Sequence, residues 1–239
     1  MLPIAQIIHL SWSVYTSKFK KYLPLVAIIF ASSAVSSFLD FLLSEILKVS
    51  DLSYIIYTTL ISLVFYIINL AVTIFLIFYT DRLIDNKKID FKINDVLAIY
   101  LPALSVSLLV GLITIGGFLL VIIPGILFTV WYAFAVFEAI LNKQKGWAAF
   151  RASHDLSKGR FWAIFGRVIV PNIFWGIVAY LVLAGISNLL ELALNQPINS
   201  SEAGLPIIIS TFLISDLIAS FFAPLSLIAL TIAYREAKK

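Results

Sequence analysis

The chain alternates long apolar runs with short polar stretches, and the runs have the length of membrane spans. Those near 23–42, 54–80, 97–118, 124–142, 161–188 and 212–234 approach or exceed the about 18–20 residues that a helix needs to cross a bilayer core of about 30 Å. The third and fourth are separated only by Gly116-Gly117 and Pro124-Gly125. As one helix, Leu97 to Leu141 would be about 67 Å long at 1.5 Å per residue. It must therefore fold back, with Gly116 and Gly117 ending one arm and Pro124 and Gly125 opening the next. The pattern predicts an all-α fold, a polytopic membrane helical bundle of six transmembrane helices in a single integral membrane domain, 1–239.

Two shorter segments have helical periodicity without the length to span. In 3–21, Pro3 takes the first turn, where its missing N–H does no harm. Ile4, Ile8, Tyr15, Phe19 and Tyr22 form one stripe, and His9, Ser13, Thr16 and Lys20 form the other. This is the pattern of a helix lying in the headgroup plane with its apolar face in the acyl boundary. In 145–158, Ala149, Ala152, Ser153 and Leu156 share one face, opposite Arg151, His154, Asp155 and Lys158. A face of alanine and serine is too small to anchor in lipid and suits packing on protein, so this helix is expected under the bundle. Tyr22-Leu23-Pro24, Tyr100-Leu101-Pro102 (after a short helix at Asn94–Tyr100) and Gly159-Arg160-Phe161-Trp162 occupy equivalent places. They suggest a threefold pseudo-repeat of interfacial helix, aromatic hinge and antiparallel pair of spans; convergence on a belt of interfacial aromatics accounts for them almost as well.

Composition agrees with a membrane setting. Of the 239 residues, 62% are hydrophobic and 13% charged, against about 45–50% and 25% for soluble domains. The first lysines follow an apolar stretch broken by Gln6, His9 and Ser11, so no cleavable leader is expected. Cysteine is absent and histidine occurs twice, which argues against disulfides, a thiol nucleophile or a metal centre; no cofactor is expected. With six spans, sixteen Lys and Arg fall on one side and Lys48 alone on the other. The positive-inside rule makes the basic side cytoplasmic, with both termini there, and plasma membrane is the expected location. The basic segments adjoin the membrane, so anionic headgroups on the cytoplasmic side are the expected partners, with other membrane proteins as further candidates and no nucleic acid.

Polar groups inside the spans are few. Asn69 and Asn172 lie at about equal depth, near 16 Å from the cytoplasmic boundary. Three arrangements are open for them: direct contact, a bond from Asn172 to backbone with Pro171 freeing a competing carbonyl, or a water-lined path. Ser33 and Ser37 mark the first span as either a close-packing face or a polar stripe. Asp216 either caps the last span, with Leu205–Ile214 as a separate outer piece, or is a buried functional carboxylate. Glu138 and Arg167, each a turn or two inside the cytoplasmic boundary, are placed to form an ion pair; Arg167 snorkelling alone is the alternative.

No phosphate loop, HExxH pair, GxSxG elbow or His–carboxylate cluster is present, so an enzyme is not expected. The series Gly-Gly, Ile-Ile-Pro-Gly, Phe-Glu138-Ala, Ala-Phe-Arg-Ala-Ser153 and Leu-Ser-Lys158-Gly159-Arg-Phe resembles a widespread group of polytopic membrane proteins. It includes the membrane-anchor domain of some glycerophosphodiester phosphodiesterases and the YciC-like inner-membrane proteins. The likeness covers mainly 110–167 and implies an architecture; the chain has no room for a phosphodiesterase domain, so that activity is not implied. Gly116, Pro124, Gly125, Glu138, Ser153, Lys158 and Gly159 are the positions matched to the group. The expected function is a non-enzymatic membrane scaffold or partner-binding protein, with a small-solute transporter or channel as the alternative. A lipid-active enzyme would lack an acid–base pair.

Overall fold

The computed structural model describes residues 1–46, 51–85, 93–194 and 205–239. It contains α1 (Ile4–Ser17), α2 (Phe19–Phe41, continued by a π-helical turn Leu42–Ile46), α3 (Asp51–Ile84), α4 (Ile93–Leu120) and α5 (Ile122–Trp131). After these come α6 (Ala135–Leu141), α7 (Trp147–Ser157), α8 (Phe161–Leu194) and α9 (Leu205–Ala237). There is no strand among the described residues. The fold is all-α, and six stretches are long and apolar enough to cross a membrane: Phe19–Ser44, Leu52–Ile84, Leu97–Leu120, Ile122–Leu141, Phe161–Ala193 and Ile209–Ala237. The chain is a multi-pass helical membrane protein. Lys48, Lys87, Lys88 and Lys92, which carry part of the expected charge asymmetry, lie outside the described residues.

The helices group into two compact units. One joins Lys20–Val72 with Phe174–Pro224. It holds α2, the first part of α3, the second part of α8 and the first part of α9. Each segment is about 20–22 residues, hence about 30–33 Å long at 1.5 Å per residue, which matches a hydrocarbon core. Large apolar side chains such as Leu52, Leu60, Tyr180, Leu181 and Leu192 are exposed on it, as a lipid-facing surface requires. Inside, Asn69 Nδ2 donates to Ser32 Oγ at 3.1 Å and to Phe65 O at 3.0 Å. A bond between two short polar side chains lets α2 and α3 approach closely where no hydrophobic effect drives association.

The other unit joins Met1–Phe19, Thr73–Ile173 and Leu225–Lys239. It contains α1, α4 to α7 and the remaining parts of α3, α8 and α9. Of the thirteen described Lys and Arg residues, eleven belong to it; only Lys20 and Lys21 do not.

Four expectations are corrected by these helices. Gly116 and Gly117 do not end an arm, because α4 runs through them to Leu120; the chain turns at Val121, which is extended (φ −163°, ψ 153°). Gly117 instead sits against the second arm, where an added Cβ would lie 3.0 Å from the Gly125 Cα. Pro24 and Pro102 lie inside α2 and α4 rather than at aromatic hinges. The N-terminal helix is not one piece to 21: it stops at Ser17, and Phe19 begins α2. Its buried stripe is Ile7, Ser11 and Tyr15, each fully buried against protein, so α1 is docked on its own unit, with Leu10 and Trp12 exposed.

Candidate functional site

The polar groups of the larger unit converge on a break in the fourth apolar run. Nothing in Phe128-Thr-Val-Trp-Tyr-Ala-Phe-Ala135 contains a helix breaker, yet the helix opens at Tyr132–Phe134, between α5 and α6. The expected single arm 124–142 is therefore two helices. Opening costs the bonds that Phe134 and Ala135 would have made to Val130 and Trp131, and Ala135 N turns to Tyr132 O instead. The groups left over are taken by two serines of α7. Phe134 N donates to Ser153 Oγ at 3.1 Å, and Ser153 Oγ donates to Trp131 O at 2.7 Å. Ser157 Oγ donates to Val130 O at 3.1 Å. Ser153 and Ser157 are one turn apart, so both hydroxyls face the break. Of the expected small face of this helix, Ala149 and Ser153 are buried against protein while Ala152 and Leu156 are only half-buried; Phe150 and Ser157 complete the buried face. Val106, Ala135, Ala139, Ala149 and Phe150 close around it.

α7 is held in place at both ends by backbone that only glycine adopts freely. Gly146 precedes it at φ +48°, and Gly159 follows at φ +72°. Lys158 is the exposed C-cap residue, donating its N–H to His154 O at 2.9 Å. The other face of α7 is polar: His154 and Asp155 lie 3.9 Å apart, and His154 meets the edge of Trp131 at 5.2 Å.

Beyond the break, α6 carries Glu138, which is only 4% exposed. Tyr234 Oη donates to Glu138 Oε1 at 2.9 Å, Asn142 Nδ2 donates to Glu138 Oε2 and to Tyr234 Oη, and Lys238 Nζ stands 3.7 Å from Oε1. Phe134 and Phe137 pack on the Tyr234 ring at 5.6 and 5.2 Å. A buried carboxylate is tolerable with this many donors around it.

The expected Glu138–Arg167 pair is not formed. Arg167 Nε donates to Leu2 O at 2.8 Å, Nη1 to Ala163 O at 2.7 Å and Nη2 to Met1 O at 3.5 Å. Docking of the N-terminal segment supplied carbonyls that the spacing of spans could not foretell. The same region ties four helix ends together, those of α1, α3, α8 and α9. Leu2 N donates to Glu236 Oε2 at 3.1 Å, Arg160 Nη2 to Ala237 O at 2.9 Å, and Arg235 to Asp81 Oδ1 at 3.1 Å and to Asp85.

The remaining candidates fall elsewhere. Asn172 Nδ2 donates to Val168 O at 2.5 Å, a backbone partner one turn back rather than the Arg167 carbonyl that Pro171 leaves without its N–H. Asp216 is not a cap, because α9 is continuous from Leu205. Its Oδ2 is buried without a protein partner, on a small cavity lined by Ala34, Ser37, Phe38, Phe41, Ile209, Phe212 and Leu213. Gly125 lies where a Cβ would meet the Phe118 ring at 2.4 Å, and Gly116 has open space around it. Pro124 is in the first turn of α5. Ser157, Asn142 and Tyr234 are the functional-site residues missed by sequence reasoning; the four-residue spacing of Ser153 and Ser157 was the available signal for the first. Comparisons with family models, with characterised proteins and with solved structures give no match to this chain.

Proposed function

We propose that the protein is a non-enzymatic scaffold of the plasma membrane, with its basic segments and both termini on the cytoplasmic side. The orientation rests on the charge bias: eleven of the thirteen described Lys and Arg residues belong to that unit, and positive charge is retained in the cytoplasm. The observation that carries the scaffold reading is how the polar side chains are used. Glu138, Ser153, Ser157, Arg160, Arg167 and Arg235 all make bonds that hold separate segments of the chain together. What remains outward on α7 is Arg151, Asp155 and Lys158, a rigidly mounted charged face suited to a protein partner or to headgroups.

A second reading, a small-solute transporter, is favoured by the unpartnered Asp216 oxygen beside its cavity, since ionisable groups within a membrane unit are costly and often functional. Photo-crosslinkers at Arg151 and Asp155, combined with solute flux into proteoliposomes, discriminate the two. The scaffold reading expects a discrete cross-linked product that depends on the position of the crosslinker, and no specific flux. Solute uptake that is lost in Asp216→Asn would sink it.

A further inference from the structure

We infer that the α4–α5 hairpin does not cross the membrane but is a re-entrant wedge, inserted from the side that carries α7 and ending near the bilayer midplane. The fourth apolar run reaches twenty residues only when Ile122–Leu141 is counted through the break. The second arm, α5, has ten residues and is hence about 15 Å long, half of a core of about 30 Å. The first arm, α4, has 28 residues and continues past the base of α5 to pack on α6, where Val106 meets Ala135 and Ala139. α6 is no lipid-facing continuation of α5, because Ala135, Phe137, Glu138, Ala139 and Ile140 are all buried in protein.

The base of the wedge lies at a polar boundary. Ser153 and Ser157 put α7 against Val130, Trp131 and Phe134, and at that level Arg151, Asp155, Lys158, Gly159 and Arg160 are exposed. Several charged side chains on one short helix cannot face hydrocarbon. Trp131, Tyr132 and Trp147 line the same depression as Arg151, His154 and Asp155, which is the mixture of rings and charges found at a headgroup boundary. Arg167 points the same way, reaching back along α8 to Ala163 O.

The tip is built for hydrocarbon. From Ile115 to Leu127 there is no polar side chain, and Leu119, Leu120, Val121, Ile122 and Ile123 are 83, 76, 57, 67 and 66% exposed. A loop emerging into water on the far side would leave this surface wet. At membrane depth the difficulty is instead the turn's backbone, since unsatisfied groups there are costly. Val121 N donates to Gly117 O at 3.1 Å, and Gly125 N donates to Val121 O at 3.4 Å. Pro124, in the first turn of α5, has no N–H to leave unpaired. Gly117 and Gly125 let the arms touch, so the wedge is narrow. Its occupant is the acyl region of one leaflet.

The chain has no cysteine, so single cysteines report directly. In phosphatidylethanolamine–phosphatidylglycerol proteoliposomes, Val121→Cys and Leu120→Cys should resist an impermeant maleimide from both faces, while Asp155→Cys reacts from one. A nitroxide on Val121→Cys should be accessible to oxygen, shielded from a water-soluble nickel relaxant, and deeper than one on Phe128→Cys. Labelling of Val121→Cys from the face opposite Asp155 would show a crossing hairpin and overturn the wedge. Labelling from the same face would put the tip in water and overturn it too. So would disulfide-linked dimers of Leu120→Cys at high lipid-to-protein ratio, which would assign the tip to a second copy.

Discussion

Ser153 Oγ stands between the Phe134 amide, 3.1 Å away, and the Trp131 carbonyl, 2.7 Å away, and bonds both. One hydroxyl thus occupies the gap where two consecutive helical hydrogen bonds are missing. Ser153→Ala would leave an amide and a carbonyl buried and unpaired, at about 1–3 kcal/mol each. The expected result is a lower unfolding midpoint, with amide exchange accelerated first at 130–136. Ser157→Ala removes one bond to Val130 and should cost less. Equal stability of Ser153→Ala and wild type would mean that the break is closed some other way.

A second prediction concerns the carboxylate of α6. Tyr234→Phe removes a hydrogen bond to Glu138, worth about 1.5–3 kcal/mol when the acceptor is charged. Glu138→Ala should cost more, since Tyr234 and Asn142 both lose their acceptor. In double-mutant cycles Glu138 should couple with Tyr234 and not with Arg167. The opposite pattern would reinstate the pairing expected from the positions of Glu138 and Arg167 along their spans.

Three glycines of the hairpin should behave differently although they read alike. Gly125→Ala forces the Phe118 ring aside, and Gly117→Ala presses on the backbone of α5; overpacking of this kind costs about 1–3 kcal/mol. Gly116→Ala meets nothing within 4 Å and should be neutral or slightly stabilising, because alanine is the better helix former by about 1 kcal/mol. Thermal unfolding of the three variants in one detergent gives the comparison. A loss at Gly116→Ala as large as at Gly125→Ala would contradict the crossing geometry.

The polar lone oxygen of Asp216 gives a test of opposite sign. With no partner for Oδ2, Asp216→Leu should leave the helical unit of α2, α3, α8 and α9 as stable as before or more so, since the buried charge is lost and the cavity is filled. A clear drop in unfolding midpoint would mean that the carboxylate makes a stabilising interaction in the membrane.

Length and hydropathy alone carried the class of fold and the six apolar stretches, because covering apolar surface is a property of composition and period. They also located part of the packed face of α7, Ala149 and Ser153, since alanine and serine at helical spacing suit close packing. What they missed was set by distant partners. Tyr132–Phe134 holds no glycine or proline, and the helix opens there because Ser153 and Ser157, some twenty residues later, replace the lost bonds. Asp216 carries a good capping signal that a continuous α9 overrides. Arg167 had a plausible acidic partner at matching depth, but carbonyls of Met1 and Leu2 reached it first. Depth along a span can be counted from sequence; which element fills the space beside it cannot.

The ties of the basic unit also impose an order of assembly during synthesis. Leu2 must wait for Glu236, Asp81 for Arg235, Glu138 for Tyr234 and Arg160 for Ala237. Until residues 234–238 have left the ribosome, the Glu138 carboxylate lacks Tyr234, Lys238 or both, and the break beside it has only α7. Early-made helices must therefore be held by insertion machinery or lipid in an incomplete state. A chain stalled before Tyr234 should be open to protease at α6 and α7, where one extended past Lys238 and clear of the ribosome is closed.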